Sequence, residues 1–163
     1  MMFFRALLAF LALPTVVGGF FPWLLLGNDS RRAGGTPLGW PVLLFGVCVL
    51  LQCVRDFYVM GKGTLAPWDP PKKLVIAGLY RFMRNPMYAG VLGWIAGWSL
   101  IAGSPLLAAY TGVLGFGFHL RVIFYEEPTL ARQFGNEWTR YRASVNRWLP
   151  KPQLKSDPRS TWP

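Results

Sequence analysis

Long apolar runs alternate along this chain with short basic, Gly/Pro-rich stretches, and the runs are of membrane length. The first extends from Phe3 to Leu26, interrupted by Pro14 and Gly18-Gly19. Arg5 ahead of it gives a signal peptide as one reading. The run is long for that and no clear small-x-small cleavage site follows, so we expect a retained span kinked at Pro14. A polar connection over Gly27–Thr36 leads into a second span from Pro37 to about Met60, with Arg55 and Asp56 marking its exit from hydrocarbon. An irregular segment, Gly61 to Asn85, follows. The third span is expected from Pro86 to about Gly103, and Ser104-Pro105 turns tightly into a fourth, Leu106 to Tyr125. Pro128 is expected to restart the chain as a polar amphipathic helix over Thr129–Val145. Its Leu130, Phe134, Trp138 and Tyr141 recur at helical spacing, opposite Arg132, Arg140 and Arg142. A tail containing Pro152, Pro158 and Pro163 is expected to be disordered.

The pattern predicts an all-α polytopic membrane protein. It has about four transmembrane helices and a C-terminal cytosolic amphipathic helix, with residues 1–150 as one domain and 151–163 as the tail. Composition agrees: 53% of residues are hydrophobic and 15% charged. The net charge of +10 would suggest nucleic acid in a soluble chain. No soluble stretch here is long enough for such a module, so the basic residues are assigned to loops touching anionic lipid. Five of them lie in the 61–85 segment and seven beyond Tyr125, against only Arg31 and Arg32 on the opposite side. The crowded side should be cytoplasmic. Cys48 and Cys53, five apart on one helix, point to different faces and read as inert thiols.

Spans three and four should pack as a hairpin. Gly90, Gly93 and Gly97 form a stripe on one, Gly112 and Gly115 on the other, and small residues let helices approach closely in lipid. His119, the only histidine, falls with Glu126 on the Gly112–Gly115 face, about 10 Å from it along the axis. A lone histidine in an apolar helix is usually an interhelical hydrogen-bond partner, and it is given at most a supporting role.

Glu126 and Glu127 stand together at the membrane edge, followed by Pro128. Adjacent helical residues diverge by about 100°, so an intact helix would not aim both at one point. Because Pro128 disfavours helical geometry at the residue before it, the chain is expected to break there and redirect the pair. An acid near a helix start could explain one glutamate, but not a pair beside an apolar span. Within a basic surround the two acids would make a local cation site. No metal is expected, since no further His, Cys or acid cluster completes a shell, and an organic cation suits better. The second constellation runs from Gly78 to Gly90, with Tyr80, Arg81, Arg84, Asn85, Pro86 and Tyr88 at the start of span three. Singly, these would be headgroup contacts and an aromatic belt. Together they bring two basic groups, two phenols, an amide and a helix start to the surface that carries the glutamates.

The sequence Gly78-Leu79-Tyr80…Arg84-Asn85-Pro86-Met87-Tyr88…Gly90, then Glu126-Glu127, Phe134-Gly135, Trp138, Tyr141 and Arg147-Trp148-Leu149-Pro150, resembles the isoprenylcysteine carboxyl methyltransferase and phospholipid methyltransferase superfamily. The likeness covers about residues 65–150. It implies S-adenosylmethionine as cofactor, held between the loop before span three and the C-terminal helix. Carried over by position, Val75, Tyr80, Arg84, Asn85, Pro86, Tyr88, Glu126, Glu127 and Tyr141 would line the cofactor site. The catalytic set would be Glu126, Glu127 and Arg121. The family usually has histidine where Asn85 stands, and asparagine does not titrate near neutral pH. Its substrate-binding arginine lies about one turn before the glutamates; Arg121 is the nearest here, displaced by one residue. The implied partner is a lipophilic or lipid acceptor entering from the membrane. A carboxylate acceptor would need no base, whereas an amine would need a glutamate or His119. A non-enzymatic membrane carrier or assembly factor, its carboxylates paired structurally with Arg84 or Arg121, is the alternative of a different class.

Overall fold

The computed structural model describes residues 15–30, 32, 34–60, 74 and 76–150, with side chains omitted at 57–60. Among these residues the architecture is all-α, with no named strand. Helix α1 occupies Val16–Asn28 and opens with a π turn over Val16–Phe20. Helix α2 is Gly39–Met60, and a 3-10 turn at Gly78–Arg81 precedes α3, Pro86–Ala102. Helix α4, Pro105–Arg121, passes through a second π turn, Val122–Glu126, into α5, Glu127–Phe134. Helix α6 is Asn136–Ser144. The expected kink at Pro14, the segment 61–73 and the tail lie outside the described residues.

The punctuation of α3 and α4 is that read from the sequence. Pro86 opens α3 where a missing N–H costs nothing, and Gly103 closes it at φ 59°, its amide bonded to the last-turn carbonyls. Ser104 caps α4 by accepting from the Leu107 amide at 3.2 Å. Asp29, at the end of α1, accepts from the Ser104 hydroxyl and so ties α1 to this turn. Two of the helices are long and apolar enough to cross a membrane: α2, and the continuous run Pro105–Phe134. Val16–Asn28 and Pro86–Ala102 are shorter apolar helices. Phe45, Val113, Phe116 and Phe124 stand exposed on the outer faces of α2 and of the long helix, as a hydrocarbon solvent requires.

The glycine stripe of α3 does not serve the α3–α4 hairpin as expected. It faces α2. A Cβ on Gly97 would lie 2.5 Å from the Leu43 Cα, and one on Gly90 would lie 3.0 Å from the Leu50 amide. Gly46 of α2 answers them against the backbone of α3. Gly112 meets nothing, and Gly115 meets only the Leu92 side chain at 3.4 Å. Helix α4 instead leans on the bundle through large side chains, with Leu107 fully buried beside Leu50, Val91 and Ile95 and flanked by Leu114 and Phe118.

Two further expectations are corrected. The chain does not break at Pro128: Glu127 is helical at φ −61°, ψ −44°. A π turn immediately upstream widens the helix, with the Glu127 amide bonding the Val122 carbonyl, and so accommodates a proline that lacks an N–H. The same device, a π turn ending at Phe20, precedes Pro22 in α1. The C-terminal helix is two helices, because Gly135 at φ 49° turns the chain between α5 and α6. Together they build a separate small core from Trp138, Tyr141 and Val145 with Leu74, Ile76, Leu130 and Phe134.

Because Gly97 abuts main-chain atoms that cannot yield, Gly97→Leu should lower stability by about 1–3 kcal/mol or prevent folding. Gly112→Ala, placed in open space, should leave it unchanged or slightly raised. Thermal unfolding of both variants in detergent checks this; equal behaviour would contradict the close α2–α3 approach.

Candidate functional site

The loop before α3 is shaped by Gly78, at φ 56°, whose missing side chain admits the Asp56 carboxylate of α2. Asp56 is buried and held by Gln52 at 3.0 Å. In the sequence it marked only the end of a span; its place against Gly78 was not foreseen. The turn drives Tyr80 inward against Cys53, while Cys48 stays exposed. Tyr141 of α6 donates its hydroxyl to the Tyr80 carbonyl at 2.7 Å. Burial raises both phenol pKa values, most for Tyr80, so each remains a neutral hydrogen-bonding group.

The chain beyond α6 returns to the start of α3. The Arg84 amide donates to the Asn146 carbonyl at 2.9 Å, and the Asn85 side-chain amide to the Arg147 carbonyl at 3.2 Å. This short parallel pairing sets two guanidiniums around one acid. Arg84 Nη1 lies 2.9 Å from Glu127 Oε1, and Arg147 grips both oxygens at 2.7 and 3.0 Å. The Arg84 and Glu127 side chains are each only 9% exposed, so pairing is what makes their burial tolerable. Burial lowers the pKa of Arg84, opposed by the Glu127 charge, and the hydrogen bond to Glu127 raises that of Arg147.

Glu126 turns elsewhere. Its Oε1 accepts from the Tyr88 hydroxyl and from Arg121 Nε at 3.0 Å. Residues five apart would stand about 140° apart on a regular helix and not meet. The π turn between them removes that divergence.

Between these groups lies a small, partly open cavity. Of the residues named from the sequence, Tyr80, Arg84, Asn85, Glu126, Glu127 and Tyr141 line it. Pro86 is buried at the helix start beside it, Tyr88 stands behind Glu126, and Arg121 reaches Glu126 from a half-exposed position. Val75 lies outside the described residues. The expected two-carboxylate cation site is not formed, because both acids carry arginine partners and Glu127 is enclosed by two. Arg147 and Trp138 received no role from the sequence, although both fall in the motif run that resembles the family. Trp138 lines the cavity with Val122 and Leu130, and its ring lies under the Arg84 guanidinium at 5.6 Å. The Arg84 Nε and Trp138 Nε1 donors are buried without a hydrogen-bond partner among the described residues.

The structure is thus a helical protein with two helices long and apolar enough to cross a membrane and an aromatic-walled cavity near the end of one of them. Residues 38–137 match the phospholipid methyltransferase family, and the chain belongs to it. Among its relatives is a probable protein-S-isoprenylcysteine O-methyltransferase of Oryza sativa subsp. japonica, 38% identical over 84 residues, which are 51% of this chain and 44% of that protein. Protein-S-isoprenylcysteine O-methyltransferase A of Arabidopsis thaliana is 36% identical over 119 residues, 68% of this chain and 60% of that one. Protein-S-isoprenylcysteine O-methyltransferase of Tribolium castaneum is 33% identical over 111 residues, 64% of this chain and 39% of that one. The chain spans about half the length of these curated relatives. No solved structure matches it.

The two carboxylates should separate in stability measurements. Glu127→Gln leaves two guanidiniums facing a neutral amide and should cost about 3–5 kcal/mol. Glu126→Gln breaks a pair whose arginine is 46% exposed and should cost at most about 1 kcal/mol. Thermal unfolding in detergent distinguishes them; equal losses would remove Glu127 as the group that joins the segments.

Proposed function

We propose that this protein is an S-adenosylmethionine-dependent membrane methyltransferase that transfers a methyl group to a carboxylate on a lipophilic acceptor. The observation that carries the reading is a cavity walled by Tyr80, Trp138 and Tyr141, beside which Arg84 Nε and Trp138 Nε1 are buried with no hydrogen-bond partner among the described residues. Unsatisfied buried donors are costly, and a ligand offering acceptor oxygens or nitrogens relieves them. The cofactor's carboxylate, ribose and adenine are such acceptors, and aromatic walls suit the adenine ring. Both hydrogen bonds to Glu126 fall on Oε1, leaving Oε2 for the ammonium. The residues therefore fit the cofactor, with Glu127 acting one step back by holding Arg84.

When bound, the cofactor supplies an electrophilic methyl group on a sulfonium. A carboxylate acceptor brings its own lone pair and loses no proton, so alignment and exclusion of water are the protein's main tasks. Arg121, half-exposed beside Glu126, offers a positive group to such an acceptor. N-methylation of a phospholipid or small hydrophobic amine is the second reading, favoured by the name of the matching family. It requires a base, and both glutamates are paired with arginines. We place residues 1–150 in one membrane domain of four spans, with α1 and α3 joining the two longer helices. The cavity faces the cytoplasm, as the basic loops indicate.

Titration calorimetry in detergent tests the cofactor. Wild-type protein should bind S-adenosylmethionine, and Glu126→Gln should bind it about tenfold more weakly, as loss of one charge-assisted hydrogen bond requires. A folded wild type with no heat of binding would overturn the proposal. Membranes incubated with methyl-labelled cofactor should yield a base-labile methyl ester; a stable methylated amine would replace carboxyl transfer with the second reading.

A further inference from the structure

His119 has a partner that the reaction scheme does not use. Its Nδ1 lies 3.0 Å from the indole nitrogen of Trp148, and the rings are 6.0 Å apart. An indole N–H only donates, so Nδ1 must present its lone pair, and the proton of the neutral imidazole sits on Nε2. Trp148 is delivered there by the same pairing that joins Arg84 and Asn85 to Asn146 and Arg147. The Tyr88 ring lies 6.5 Å from Trp148 and 4.4 Å from Phe118, and its hydroxyl donates to Glu126. Two aromatic rings, Trp148 and Tyr88, therefore link the imidazole to the carboxylate that borders the cofactor cavity. It is displaced about 10 Å from Glu126 along the helix, toward the apolar part of α4. The ring is half-buried, and Nε2 has no partner among the described residues.

A ring held in this way cannot serve as a base. Its lone pair is engaged by Trp148, and its free edge carries a proton. The opposite tautomer would set two N–H groups against each other, which apolar surroundings penalise. From this geometry we infer that His119 binds the acceptor, donating Nε2–H to an anionic oxygen at the head of a lipophilic molecule lying against α3 and α4. Trp148 is the positioning residue that locks the donor tautomer. The inference rests on the methyltransferase reading and narrows its substrate to acceptors that offer a lone pair without a proton to lose. In the transfer, the acceptor oxygen gains a C–O bond to the methyl carbon while the C–S bond breaks. The electron pair goes to sulfur, and no proton moves. An amine would need its proton taken away, and the histidine edge facing it could only give one.

Because the chain has one histidine, its imidazole nitrogens can be followed by NMR in the intact detergent-solubilised protein without assignment by mutation. The wild type should show a neutral ring protonated at Nε2. Trp148→Phe keeps an aromatic ring but removes the indole N–H, and should give a mixture of tautomers. With N-acetyl-S-farnesylcysteine as acceptor, His119→Ala should raise the acceptor KM about tenfold, as expected for one hydrogen bond to a charged group. Its dissociation constant for S-adenosylmethionine should stay within about twofold of wild type. His119→Gln, which retains a donor, should recover part of the loss. An Nδ1-protonated wild type, an unchanged KM in His119→Ala, or loss of cofactor binding by that variant would each overturn the assignment. A wild type that binds no cofactor overturns the methyltransferase reading itself, so the two failures are distinguishable.

Discussion

A buried carboxylate between two guanidiniums holds this structure's polar end together. Glu127 belongs to the helix that continues α4, Arg84 to the loop entering α3, and Arg147 to the chain beyond α6. They are 43 and 20 residues from Glu127 in sequence. Arg84 and Glu127 would each be costly to bury alone, and withdrawing the carboxylate would strand both guanidiniums. The ion pair therefore dictates that the three segments close on one another. The cavity is the space left inside that closure. Its lining of Tyr80, Asn85, Glu126, Trp138 and Tyr141 follows from where the segments must lie once Glu127 is satisfied.

The helix supplying both glutamates carries a π turn, and the turn does two things at once. It relieves Pro128 inside a continuous helix, and it rotates Arg121 and Glu126 into contact. Had the proline broken the helix, Glu126 and Glu127 would have been free to converge. Because the helix continues, they diverge to different partners: Glu127 joins Arg84 and Arg147, and Glu126 joins Tyr88 and Arg121.

Below this assembly the apolar helices divide their labour by side-chain size. Glycines let α2 and α3 approach until main chains touch, which gives the start of α3 a rigid foundation. Helix α4 packs through larger groups and leaves Val113, Phe116 and Phe124 facing outward. The C-terminal helices have their own core around Trp138 and Tyr141, and the cavity lies between it and the apolar helices. Trp148, beyond α6, reaches His119 of α4 across this boundary.

The sequence alone determined the helical class, the limits of α3, the start of α4, and several of the residues around the cavity. Those properties reside in local signals: apolar runs, Pro86 and Pro105 at helix starts, Gly103 at a helix end, and a motif run shared with a family. What lay beyond it were the relations between segments. The Gly90–Gly97 stripe identified an interface but not which helix fills it, because a small residue permits close approach without naming a partner. Pro128 announced a disturbance, yet a break and a π turn answer a missing N–H equally well in one dimension. Gly135 was visible but was read through, since the amphipathic spacing on either side of it stays in phase. The pairing of Glu127 with Arg84 and Arg147, and of His119 with Trp148, was decided only by the tertiary structure. A charge or a lone pair records a need for a partner, and only the folded chain determines which group arrives to meet it.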